Sequence, residues 1–211
     1  MNNVAKILTD KFGAGKPILT EEALEALSSY ARSTAFALLK DSVKDGSVMR
    51  FERGVYYVPE RGSYLGTPLP LNPLAVLDKK YISNEVDVYG FRSGLTLQND
   101  VGISNQAPVV LEITTNNETN RTRRIKPMGG YREIILRKPK VPVNADNVDS
   151  LKFLDVLSKI TPSLLNCMEK EALVRMAKRA KRSQVTNYIP LFPKNTAVNL
   201  LESGVFNAIP A

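Results

Sequence analysis

Apolar positions near the N-terminus recur at helical intervals. Val4, Ile7, Leu8 and Phe12 fall at i, i+3, i+4 and i+8, one stripe of an amphipathic helix that Gly13 and Gly15 end. Thr20 is placed to cap a second helix. Glu21 and Glu22 stand in its first turn, where carboxylates suit the macrodipole, and Leu24 and Leu27 point inward. Ser28 or Ser29 caps a third. There Ala31, Ala35, Leu38, Leu39, Ser42 and Val43 make the buried stripe, and Gly46 stops the helix. Its opposite face carries Ser33, Phe36, Ala37, Lys40 and Lys44, and a Phe beside small and basic residues is an odd face to leave in water.

The pattern then turns to short β-type runs. Val48–Glu52 and Val55–Val58 are hinged on Arg53-Gly54 and closed by Pro59, which cannot continue a central strand. Three short helices followed by a hairpin is the order of a winged helix-turn-helix, whose third helix enters the major groove. On this reading Arg32, Ser33, Phe36, Lys40 and Lys44 face DNA from the recognition helix, while Arg50, Arg53 and Arg61 of the wing reach phosphate or the minor groove. The alternative is a protein–protein module that uses the same winged helix without specific DNA binding.

Further along, residues 61–72, rich in Pro and Gly, read as a linker. Residues 73–143 read as a mixed α/β domain. It has a helix from Pro73, a strand at Val86–Phe91, a helix around Gly94–Val101, a strand over 108–116 and a basic hairpin over 121–140. Residues 144–211 read as a helical tail. Val148, Leu151, Leu154, Val156 and Leu157 mark one helix, Thr161-Pro162 opens a longer one reaching Arg182, and Thr196–Ser203 forms the last. The expected class is α+β: an N-terminal winged helix-turn-helix over 1–60, a central mixed α/β domain and a helical C-terminal tail.

Charge shifts attention to the later segments. Residues 1–60 carry 8 Lys and Arg against 8 Asp and Glu, whereas residues 61–211 hold the whole net charge of +8. Eight basic residues crowd into 121–140, and strand alternation divides them between two faces. Arg123 and Arg124 are therefore candidate phosphate contacts, with a merely solvated strand face as the plain alternative. The spaced apolar residues of "MNNVAKILTDKFGAG" are not those of a signal peptide, and no apolar run approaches the ~20 residues of a membrane span, so a cytoplasmic protein without membrane contact is expected.

Candidate chemistry is sparse. The chain has no histidine, which removes the commonest general base and metal ligand, and one cysteine, Cys167, which reads as a buried structural thiol. Ser93-Gly94 begins a nucleotidyltransferase-like string, but Gly102 stands where a second acid belongs after Asp100. Glu112 is followed by Ile113-Thr114, not by the x-Lys of a restriction-type nuclease, so only an atypical nuclease using Asp87 or Glu112 would be left. We expect no catalytic residues, metal or cofactor.

Taken together, "DGSVMRFERGVYYVP" (45–59), "SGLTLQNDVGISNQAP" (93–108) and "RRIKP" (123–127) resemble the AbiEi family of antitoxins and its bacterial relatives, over roughly residues 3 to 140. The resemblance implies an N-terminal winged helix and a C-terminal domain. It also implies binding to inverted repeats in the chain's own promoter, and a role against a nucleotidyltransferase-like toxin encoded beside it in a type IV toxin–antitoxin system. The expected partners are double-stranded DNA and, functionally, that toxin, with the chain a monomer or weak dimer.

Overall fold

A computed structural model describes residues 3–60, 67–126 and 132–210. These form nine α-helices and two small sheets, a mixed α and β fold. The chain divides into two compact units, Met1–Lys80 and Tyr81–Ala211. No helix among the described residues is long and apolar enough to cross a membrane.

The first unit opens with α1 (Asn3–Phe12), which buries Val4, Ala5 and Leu8. A two-residue strand that the pattern did not signal, β1 (Ile18–Leu19), follows, then α2 (Thr20–Ala26) and α3 (Arg32–Lys44). The hairpin β2 (Met49–Glu52) and β3 (Val55–Tyr57) closes a three-stranded antiparallel sheet in the order β1-β3-β2. Gly54, at φ +83°, takes the left-handed turn conformation that a side chain would resist. Thr20 is the first residue of α2 and not its cap. The Glu22 carboxylate instead accepts the Leu19 N–H at 2.9 Å. Likewise Ala31, not Ser28 or Ser29, precedes α3 and contributes no side-chain cap.

Residues 61–66 of the expected 61–72 linker lie outside the described residues, and the first unit continues past that stretch to Lys80. Leu71, at 3% exposure, packs with Val55, Tyr57 and Val76, and α4 (Pro73–Tyr81) adds ion pairs from Lys79 to Glu22 at 2.8 Å and from Lys80 to Glu52 at 2.7 Å. The division falls after Lys80 because α4 buries its apolar side within this unit. Proline content marked the loop but not where the packing stops.

In the second unit β4 (Gly90–Arg92), α5 (Gly94–Asp100), β5 (Leu111–Thr115), β6 (Thr122–Ile125) and β7 (Ile134–Arg137) build a four-stranded sheet, order β4-β5-β7-β6. β6 and β7, from the expected basic hairpin, pair antiparallel, with residues 127–131 between them outside the described residues, and β7 lies between β6 and β5 and runs parallel to β5. The expected strand over Val86–Phe91 moves to Gly90–Arg92, with only a single bridge between Ser83 and Val88 ahead of it.

The C-terminal region is helical but shares the core of the mixed segment. Phe91, Leu97, Ile103 and Val143 belong to one cluster with side chains of α6 (Val148–Leu157), α7 (Cys167–Ala177), α8 (Arg182–Tyr188) and α9 (Asn195–Glu202). Thr161-Pro162 opens only a 3-10 turn, Pro162–Leu164. The long helix expected to reach Arg182 is shorter, ending at Ala177, and α8 starts only at Arg182. α7 is capped by Asn166, whose side chain accepts the Glu169 N–H while the Glu169 carboxylate accepts the Asn166 N–H, a reciprocal cap.

Candidate functional site

The outward face of α3 is defined by what the helix buries on its other side. Ala35, Leu39 and Ser42 are buried, with Leu38 and Val43 half-buried, leaving Arg32, Ser33, Phe36, Ala37, Lys40 and Lys44 exposed. Arg32 Nη2 donates to both Glu21 oxygens, at 2.9 and 3.0 Å, and its guanidinium lies 5.7 Å from the Phe36 ring centroid. Lys44 pairs with Asp41 at 3.2 Å. No ion pair of Lys40 occurs among the described residues, although the side chain stands in the middle of this face.

The hairpin adds Arg50 and Tyr56, which face each other across β2 and β3. Cross-strand partners project to the same side of a sheet, so both meet the Phe36, Lys40 and Val43 stripe of α3. Between them lies an open groove of about 350 Å³. Arg50 Nε donates to the Glu52 carbonyl at 3.3 Å. Arg53 is exposed at the hairpin tip, and Arg61 lies outside the described residues. Glu21 as the partner of Arg32, and Tyr56 as a groove wall, were not expected from the pattern. Their places depend on how α2, α3 and β3 meet.

Arg123 and Arg124 belong to the other unit and hold carboxylates of their own. Arg124 lies 3.6 Å from Glu133. Arg123 Nε donates at 2.7 Å to Glu118, which is only 3% exposed. Burial pushes the Glu118 carboxyl up, but the Asn120 N–H, the Arg123 guanidinium and the Thr119 N–H outweigh it and hold the group below the usual carboxylate range. A carboxyl depressed in the folded state stabilises the fold above its unfolded pKa, and that contribution is lost as pH falls through the folded value. Replacing Arg123 by Ala should cost about 1–2 kcal/mol near neutral pH, because the loss of a charged hydrogen bond to a buried carboxylate is discounted by the half-exposed, solvent-screened Arg123. It should also move the onset of acid unfolding to higher pH. Urea midpoints from pH 3 to 7 check this, and an unchanged profile would show that the pair contributes nothing.

The residues weighed for catalysis are held within the second unit. Ser93 is fully buried and its hydroxyl accepts from Thr114 Oγ1 at 3.0 Å; the Gly94 N–H donates to Asp155 at 2.8 Å. Glu112 accepts from Arg137 at 2.8 and 3.0 Å, while Asp87 lies exposed in the turn before β4. Cys167 is not buried, because it is the first residue of α7 and exposed there. Among the described residues no group of three His, Cys, Asp or Glu side chains is placed to hold a metal.

No protein-family model matches the chain, and no curated protein does either. Among solved structures the chain is similar to the RV2827C protein from Mycobacterium tuberculosis, with a TM-score of 0.45 and 10% identity over all of this chain and 81% of that one.

Proposed function

We propose that Met1–Lys80 contains a winged helix-turn-helix that binds double-stranded DNA, and that the chain represses its own promoter. The observation that carries the reading is the outward face of α3. A 13-residue helix leaves Phe36 42% exposed among Ser33, Ala37 and two Lys, next to a hairpin bearing Arg50 and Arg53. A solvated face has no use for that Phe, whereas a base edge offers it the thymine methyl, and Ser33 and Lys40 supply a donor–acceptor and a cation. The three helices followed by a hairpin support the same reading.

Gel shifts on the chain's own upstream DNA test it. Lys40→Glu and Ser33→Glu should each weaken binding by roughly tenfold or more, as expected from ~1–3 kcal/mol per base contact. Parent-like affinity in both variants removes the assignment of α3. One observation favours a second reading, a protein-binding module: Arg32 and Lys44 are already paired with Glu21 and Asp41. On that reading DNA affinity is unspecific and vanishes by ~200 mM salt, as phosphate contacts alone do.

The antitoxin role follows from the family resemblance. It requires a neighbouring gene for a nucleotidyltransferase-like protein, whose expression arrests growth unless this chain is present.

A further inference from the structure

We infer that the groove between α3 and the β2–β3 hairpin is a binding site for a small amphipathic organic anion, a flat apolar body bearing one carboxylate. Three features of the groove point to that chemistry. Its volume, about 350 Å³, lies at the small end of the roughly 300–1,000 Å³ typical of ligand pockets. Its walls are apolar and partly aromatic: Phe36 and Val43 stand one turn either side of Lys40 on α3, Leu39 forms the floor, and Tyr56 closes the hairpin side. Among the described residues its charged lining groups are two cations, Lys40 and Arg50, one from each wall, with no carboxylate in the lining.

These cations differ from their neighbours. Arg32 and Lys44 on the same helix are engaged by Glu21 and Asp41. Lys40 has no ion pair among the described residues, and Arg50 is described giving only its Nε to a carbonyl. A ligand carboxylate placed between them gains two charge-assisted hydrogen bonds, and the ring beneath it covers apolar surface that water now wets. A cation or a neutral polar molecule of the same size meets neither preference.

The site has a regulatory consequence, which rests on the DNA reading above. Lys40 and Arg50 would then serve two anions, a DNA phosphate or base edge and the ligand carboxylate, so the ligand competes with DNA.

The test is a titration of the full chain with 2-naphthoate, followed by fluorescence or ligand-observed NMR, in the absence of DNA. Saturable one-to-one binding is expected. Lys40→Glu with Arg50→Glu should weaken it by about tenfold or more, the weight of hydrogen bonds to charged groups. Lys6→Glu with Lys16→Glu, which reverses two exposed cations of the same unit, should leave it within twofold. Equal losses in the two double variants, or no loss in the first, overturn the site. So does equally tight binding of 2-naphthalenemethanol, which keeps the ring and lacks the charge. A second titration adds the promoter DNA: saturating naphthoate should lower its apparent affinity, and unchanged affinity with the groove occupied overturns the competition. Because the first titration contains no DNA, failure of the DNA reading and failure of the ligand site give separate results.

Discussion

Replacing Gly90 by Ala should unfold the second unit or leave it barely stable. A Cβ built at Gly90 would stand 2.0 Å from the Tyr81 carbonyl oxygen, 2.8 Å from the Thr114 carbonyl oxygen and 3.1 Å from Thr115 Cβ. The two nearest atoms are backbone, so no rotamer change relieves the contact. The strand is also pinned where it stands. The Gly90 N–H donates to Ile82 O at 3.0 Å, and Gly90 pairs with Thr115 on β5. Overpacking a well-ordered core costs ~1–3 kcal/mol, and with backbone on both sides we expect about 3 kcal/mol or more. Hydrogen exchange followed by mass spectrometry reads this segment by segment. Amides of β4, β5 and α6 should lose protection, and parent-like protection there would show that the sheet shifts to make room.

The second large effect sets two adjacent residues against each other. Leu39 is 1% exposed and packs in the core that α1, α2 and α3 share; Lys40 is exposed. Leu39→Ala removes buried methyl groups and leaves a cavity, which costs ~2–5 kcal/mol. Lys40→Glu should change stability by no more than about 0.5 kcal/mol, as surface substitutions do. Exchange protection in α1 and α3 should fall in the first variant and hold in the second, while, on the proposed DNA-binding reading, DNA affinity should fall in the second with the fold intact. If Lys40→Glu also lowers protection, its loss of binding would say nothing about an interface.

Local pattern was enough for elements whose faces are simple. The three N-terminal helices, the hairpin on Gly54 and the helix from Pro73 each have one apolar side and a turn or stop residue at or near an end. For these, periodicity, turn chemistry and burial agree. The outward residues of α3 were legible for the same reason, since a helix that buries Ala35, Leu39 and Ser42 must expose Phe36 and Lys40.

Only tertiary structure decided the rest. β1 is two residues long, too short for any alternation, and exists because β3 offers it hydrogen bonds. α6 buries Phe153 as well as the expected leucines, because α5, β4, α7, α8 and α9 pack around it and leave only the narrow stripe of Asp149, Lys152 and Asp155 towards solvent. β7 lies between β5 and β6 through a long-range parallel pairing that no local signal encodes. The charges follow the same rule. The sequence shows that residues 1–60 are neutral in sum, but folding pairs Arg32 and Lys44 with acids and gathers Lys40 and Arg50 on one groove. Periodicity along the chain specifies which side of an element is apolar. Which side chains meet across elements is set by packing between segments far apart in sequence.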